Sequence, residues 1–348
     1  MTLFMRFLSF RILWQLIGSS VCQGRIIYLK NADKTFIIMF NIPVLFLVFN
    51  RPKETEIVFN RIKEVKPSQL FVAADGPRER NEQDIILCKK VRESIVNKIN
   101  WPCEVRTLFR DQNLGCGKAV SSAISWFFEN VEKGIILEDD ILPDKSFFYY
   151  AEELLNYYQN DNRIMMISGF NAAGEWESGN KSYFFSYLGS IWGWATWRRA
   201  WNYYDYSLKV FNDTLLFKKF LDCFFEGEEK RIRFQLYKNI YEGKIDTWDY
   251  QWTVSRLLQN GLAIVPSKNL ILNIGFDLSS THTKFAPSWY INKNYPILKI
   301  EHNDSVFCDK GYDKYYLSVN SSKPRKKLDL LVRTFVKICR LLKDKLLW

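Results

Sequence analysis

The sequence contains no C-x-x-C pair, only two histidines, and no apolar run of the ~20 residues that span a bilayer. Its seven cysteines (Cys22, Cys88, Cys103, Cys116, Cys223, Cys308 and Cys339) are odd in number and scattered. That pattern argues against a disulfide framework and a cysteine zinc site, and it fits a reducing compartment. The apolar opening from Thr2 to Ile17 is interrupted by Arg6, Arg11 and Gln15, which shortens it below a membrane span. Residues 1–38 therefore read as an N-terminal extension. An interfacial helix, a poorly formed signal peptide and a non-native extension ahead of Met39 all stay open. Two phosphate motifs are also lacking. Around Gly115-Cys116-Gly117-Lys118, Gln112 stands where a P-loop needs its first glycine, and Ala119 replaces the magnesium-binding hydroxyl. Val120 occupies the third glycine place of the dinucleotide fingerprint, so these glycines read as a flexible loop entering a helix. An acidic surplus is missing too. The net charge is +11, with much of the excess near the C-terminus and no interleaved basic–aromatic stripe. The partner that fits is an anionic membrane or an anionic substrate, with no nucleic acid.

The most informative stretch is Gly134-Ile135-Ile136-Leu137-Glu138-Asp139-Asp140. A continuous apolar run suits a strand buried on both faces. Three carboxylates at its end repel one another and are costly to desolvate, so they are expected to face a cleft, where a hard divalent cation is the natural counter-charge. A solvated acidic turn is the plainer alternative. The surrounding order is strand Val44–Phe49, helix Lys53–Val65, strand Gln69–Ala74, helix Glu82–Ile99, strand Glu104–Phe109, helix Gly115–Val131, strand Gly134–Leu137, helix Asp144–Tyr158 and strand Ile164–Ile167. Alternation with short loops predicts an α/β fold with a mostly parallel sheet flanked by helices. Arg51, Asp75, Asp111 and the acid triplet would then share one rim, at the carboxyl ends of the strands, where α/β sheets hold ligands.

The second half is rich in aromatics, within a total of 27 Phe, 18 Tyr and 12 Trp. Trp192, Trp194, Trp197 and Trp201, broken by Gly193, suit the wall of a binding cleft, with a local aromatic core as the alternative. Leu215–Tyr241 reads as helical. A further helix begins at Trp248-Asp249 behind a Thr247 cap and runs to Gly261. Asp249 in its first turn is held ionised by the macrodipole and can accept a proton from a sugar hydroxyl, or it can simply stabilise the helix start. Leu262–Ile274 gives two short strands around Pro266. The loop Gly275–Lys284 carries hydroxyls and His282 that could close over a diphosphate, or it is a loose surface loop. Residues 321–348 form a basic amphipathic tail, read as an anchor on an anionic membrane surface or as a helix packed on a partner.

Taken together, Phe49-Asn50-Arg51-Pro52, Ala74-Asp75-Gly76, Leu137-Glu138-Asp139-Asp140, Gly193-Trp194, Trp248-Asp249 and Ser280-Thr281-His282-Thr283 resemble the nucleotide-diphospho-sugar glycosyltransferases of the GT-A (Rossmann-like) fold. The chain is similar to the bacterial members and, more distantly, to the eukaryotic N-acetylglucosaminyltransferase that initiates hybrid N-glycans. The resemblance implies a nucleotide-sugar-binding half over 39–170 and an aromatic-rich acceptor half of the same domain over 171–320. It implies that Arg51 and Asp75 hold the nucleotide, and that Glu138 and Asp139 lie near the ribose and bound water. Asp140 would ligate Mn2+ or Mg2+, and Asp249 would be the base of an inverting transfer. Gly193, Trp194 and Trp248 would line the substrate site, while Ser280 and His282 belong to the diphosphate loop. Tyr250 departs from the pattern, standing where the distant relative has a second acid. The implied reaction is transfer to a glycan or lipid-linked acceptor in surface glycan synthesis (lipopolysaccharide or capsule). The implied location is cytoplasmic, on the inner face of the membrane.

Overall fold

The computed structural model describes residues 27–28, 37–38, 40–276, 290 and 292–320. Beyond a small pair of strands, β1 (Ile27–Tyr28) and β2 (Ile37–Ile38), an eight-stranded sheet organises the chain. Its members are β3 (Val44–Val48), β4 (Gln69–Ala74), β5 (Glu104–Phe109), β6 (Lys133–Glu138), β8 (Ile164–Ser168), β9 (Tyr183–Ser186), β10 (Trp194–Trp197) and β11 (Leu262–Pro266). They lie in the order β5-β4-β3-β6-β10-β8-β11-β9. β3 is parallel to both β4 and β6, β4 to β5, and β8 to β11, whereas β10 and β9 run against their neighbours. The expected α/β architecture with a mostly parallel sheet is therefore the one observed.

Strand alternation divides the core between two faces. Val44, Phe46 and Val48 pack with Leu70, Val72, Ile135 and Leu137 under α1 (Pro52–Val65), α2 (Glu82–Val96) and α4 (Lys145–Tyr157). Leu45, Leu47, Phe71, Ala73 and Ile136 face the other way, against α3 (Gly115–Asn130), α5 (Arg198–Trp201) and α8 (Asp249–Leu258). A third apolar cluster joins α6 (Thr214–Phe224) and α7 (Gly227–Tyr241) to Val254 and Leu257 of α8. The helical stretch expected over Leu215–Tyr241 is thus two helices, broken at Phe225-Glu226.

The tryptophan-rich segment was expected at a cleft wall, and the structure corrects this. Trp194-Ala195-Thr196-Trp197 is a strand in the middle of the sheet, antiparallel between β6 and β8. Trp194, Trp197 and Trp201 are buried there, and Trp194 is stacked on Trp248 with centroids 5.7 Å apart. Both ring faces are committed to the core, so neither Trp194 nor Trp248 offers a face to a substrate. A strand of four residues buried on both sides has no polar partner positions to give it away, which is why composition alone pointed elsewhere. Another small sheet pairs β7 (Ile141–Pro143) with β12 (Ile271–Asn273), and α9 (Lys310–Asn320) closes the described chain.

Candidate active site

β3, β4, β5 and β6 point the same way, so the residues that follow them meet on one rim. Arg51 follows β3 and begins α1. Pro52 takes the first helical position, where its missing N–H costs nothing. The Arg51 side chain reaches across to the end of β6, where Nη1 donates to Asp140 Oδ2 at 2.7 Å and stands 3.6 Å from Asp139 Oδ1.

The three acids do not all face a cleft as expected. Asp139 turns back toward β3 and accepts the backbone N–H of Phe49 at 3.1 Å, leaving the residue 7% exposed. Burial, reinforced by the Asp140 charge, pushes its carboxyl up to about 7, against the pull of Arg51. Glu138 goes further. Its Oε1 is buried with no hydrogen-bond partner among the described residues. Burial and the charges of Asp140, Asp139 and Asp249 hold its carboxyl well above the usual range. Like charges crowded at the end of one strand, with Arg51 as the cationic partner shown among the described residues, are the physical cause of both shifts. Among the described residues, no group of three or more His, Cys, Asp or Glu side chains is arranged to hold a metal ion.

Asp140 is fixed from a second direction. Ile274 N–H donates to the Asp140 carbonyl at 2.8 Å, continuing the β7–β12 pairing. Gly275 comes next, so close that a Cβ on it would lie 2.1 Å from Asp140 Oδ2. Gly275, two residues ahead of 277–289, therefore lies directly beside Asp140. Ser280 and His282 lie outside the described residues. The ring at this entry is Trp192, half-buried, with Phe170, Phe276 and Tyr290 packed edge-on around it at 4.7, 5.8 and 5.9 Å. Gly193 holds φ at +58°, and a Cβ there would sit 2.5 Å from Ile271, so its role is close packing of β10 on β12.

Asp75 follows β4. Its carboxylate accepts N–H donors from Gly76 at 2.9 Å, Leu114 at 3.0 Å and Gly115 at 3.2 Å, together with Asn113 Nδ2 at 2.9 Å. Burial raises this carboxyl, and the same amides oppose the shift. Asp246, which the sequence did not single out, binds the same segment from the other side. Its Oδ1 accepts Gly117 N–H at 2.9 Å, and a Cβ on Gly117 would meet that oxygen at 2.5 Å. The amides of Gly115 and Gly117 are thus occupied by two carboxylates of the chain itself. The loop expected to be flexible is tied down by Asp75 and Asp246.

Asp249 opens α8 as expected, though the cap differs. Trp248 is the N-cap and makes no side-chain cap bond, while the Thr247 hydroxyl donates to Asp249 Oδ1. Tyr204 Oη fixes the Trp248 carbonyl at 3.1 Å, and Tyr204 stacks on Trp201 at 4.2 Å. Asp249 is half-buried and close enough to β6 for its charge to raise Glu138. Arg51, Asp139, Asp140, Glu138 and Asp249 are therefore neighbours in space. Asp75 lies along the rim, joined to the Asp249 side through the 113–117 turn.

No family model and no curated protein matches the sequence. Solved structures similar in build include HddC from Yersinia pseudotuberculosis, at 8% identity and TM-score 0.29, covering 45% of this chain and 77% of that one. S. aureus TarS 1-349 matches at 11% identity and TM-score 0.37, covering 68% of this chain and 61% of that one. The inositol-1-phosphate CTP transferase from T. maritima matches at 8% identity and TM-score 0.36, covering 67% of this chain and 88% of that one. At such identities and scores none of them fixes a role for any residue here.

Proposed function

We propose that this chain transfers a sugar from a nucleotide-diphospho-sugar to an acceptor hydroxyl, with Mn2+ or Mg2+ as cofactor. The observation that carries the reading is the Arg51–Asp140 pair at the strand-end rim, beside a buried Glu138 oxygen that has no partner among the described residues and lies within electrostatic reach of Asp249. A small divalent cation at a nucleotide site takes one or two carboxylates from the protein and leaves its other positions to phosphate oxygens and water. Asp140 would meet that requirement without a three-acid cage, its backbone carbonyl held by Ile274 and its carboxylate crowded by Gly275. Asp140 would hold the cation, with Glu138 and Asp139 behind it toward the ribose and bound water. When bound, a divalent cation offsets the charge that develops on the departing nucleoside diphosphate.

The remaining steps belong to the chain. Arg51 places a positive charge at the same rim, suited to phosphate. Asp75 holds the 113–115 turn that would flank the nucleotide. Asp249, in the first turn of α8, takes the proton from the acceptor hydroxyl. The acceptor oxygen then bonds to the anomeric carbon as the bond to the diphosphate oxygen breaks on the opposite side, inverting configuration. Ser280 and His282 would close over the diphosphate. The tail 321–348 would rest on an anionic membrane surface and bring the enzyme to a glycan or lipid-linked acceptor of surface glycan synthesis.

The test is a panel of nucleotide-sugars titrated calorimetrically with manganese, followed by assays of donor hydrolysis and transfer. Asp140→Ala should abolish metal-dependent donor binding and turnover. Asp249→Asn should keep donor binding and lose most transfer. Pyrophosphate release from a nucleoside triphosphate and a sugar phosphate would replace the reading with nucleotidyl transfer. Binding without turnover would replace it with a sugar-nucleotide-binding protein. Normal transfer by the Asn variant would remove Asp249 as base.

A further inference from the structure

Residues 40–320 carry 35 Lys and Arg against 35 Asp and Glu, so the whole net charge of +11 belongs to residues 1–39 and 321–348. A charge-balanced body therefore sits between two cationic ends. Within that body, α6 shows a face that no described element covers. Phe217, Phe220 and Leu221 pack inward, while Leu215 is 63% exposed and Leu216 48% exposed. Lys218 and Lys219 are exposed one helical turn further on, at i+3 and i+4 from Leu215, with Lys219 also at i+3 from Leu216, and so flank the leucines. The acids nearby are already engaged. Asp213 caps the helix by accepting Leu216 N–H at 2.9 Å, and Asp222 is paired with Lys230.

We infer that this face of α6 is a membrane contact, with Leu215 and Leu216 entering the interface of an anionic bilayer and Lys218 and Lys219 at the headgroup phosphates. Two leucines offer far too little area for a protein partner, since stable interfaces bury about 800 Å² on each side. Such a pair beside two lysines is sufficient for a shallow lipid contact when the cationic ends of the same chain already favour an anionic surface. The contact is coupled rigidly to the proposed site. Phe217, Phe220 and Leu221 share one core with Val254 and Leu257 of α8, the helix whose first residue is Asp249. Docking through α6 therefore sets the orientation of Asp249 toward the lipid surface. This deepens the proposed reading by assigning a membrane-borne acceptor, and it rests on that reading for the acceptor alone.

The test uses the full chain with vesicles of phosphatidylglycerol mixed with phosphatidylcholine, and with vesicles of phosphatidylcholine alone. Hydrogen exchange over residues 214–224 should slow on the anionic vesicles and stay unchanged with the neutral ones. Replacing Leu215→Ser together with Leu216→Ser should weaken partitioning about ten-fold, because two partly buried leucines are lost. Lys218→Glu with Lys219→Glu should weaken it only on anionic vesicles. Both pairs leave Phe217, Phe220 and Leu221 in place, and an unchanged Tm checks the fold. Absence of vesicle binding, or binding with 214–224 exchanging as in the free protein, overturns the inference. The vesicles hold no sugar nucleotide, so failure of the donor assays leaves this result standing.

Discussion

Gly275→Ala probes the geometry at Asp140 most directly. The new Cβ would lie 2.1 Å from Asp140 Oδ2, 2.7 Å from its Cβ and 2.8 Å from its Cγ, all below any tolerated contact. The backbone cannot retreat easily, because Ile274 N–H holds the Asp140 carbonyl at 2.8 Å and Ile271–Asn273 is paired with Ile141–Pro143. The Asp140 side chain must therefore swing away and break its 2.7 Å contact with Arg51. Overpacking of this kind costs about 1–3 kcal/mol. Losing a charge-assisted hydrogen bond adds roughly 1.5–3 kcal/mol at most. The sum corresponds to a fall in Tm of roughly 4–10 °C for a domain of this size. Thermal unfolding of Gly275→Ala, Asp140→Gly and the double variant forms the cycle. Glycine is the right partner at 140, since alanine there would keep the Cβ that the new methyl meets. In the Asp140→Gly background, the cost of Gly275→Ala should shrink to within about 0.5 kcal/mol of zero. An equal cost in both backgrounds would show that the strain lies elsewhere and that Gly275 does not position Asp140.

Asp246→Ala should destabilise by about 0.5–2 kcal/mol, as loss of a helix cap does, while Asp246→Asn keeps the acceptor oxygen and should unfold close to the parent in urea. Trp194→Ala should cost about 3–5 kcal/mol as a core truncation, whereas half-buried Trp192→Ala should cost less than half of that. The reverse order would return Trp194 to the cleft wall. Asp84 has a carboxyl held below the usual range, first by the Arg78 hydrogen bond at 2.6 Å and also by Asn50. A depressed carboxyl contributes stability above its unfolded value, and the contribution is lost as pH falls through the folded one. The stability gap between the parent and Asp84→Asn should therefore narrow from about pH 4 downward. A gap that stays constant in urea titrations across that range would refute the pairing.

The strand–helix alternation from Val44 to Ile167 was legible because each buried strand is a short apolar run closed by a polar turn, and each helix shows a single apolar stripe. The four parallel strands place Arg51, Asp75 and Glu138 on one rim, as the order of elements required. Trp194–Trp197 was not legible as a strand, since periodicity over four residues cannot distinguish a doubly buried strand from a cleft wall. The α9 helix and β7 likewise gave no local signal, whereas β12 falls in the stretch Leu262–Ile274 that reads as two short strands. A short strand becomes one only when a distant partner supplies its hydrogen bonds.

From its sequence alone this protein is an α/β chain with acids at the end of its central strand and its positive charge concentrated toward the C-terminus. Only the tertiary structure decided how those acids differ. Asp139 turns to the Phe49 amide, Glu138 keeps an oxygen without a partner among the described residues, and Asp140 takes the hydrogen bond from Arg51. It likewise decided that Asp246 and Asp75 share one turn, and that Gly275 presses on Asp140. The physical reason is the same in each case. Strand and helix formation follow from neighbours in sequence, whereas the charge and crowding at a carboxylate depend on groups that only folding brings beside it.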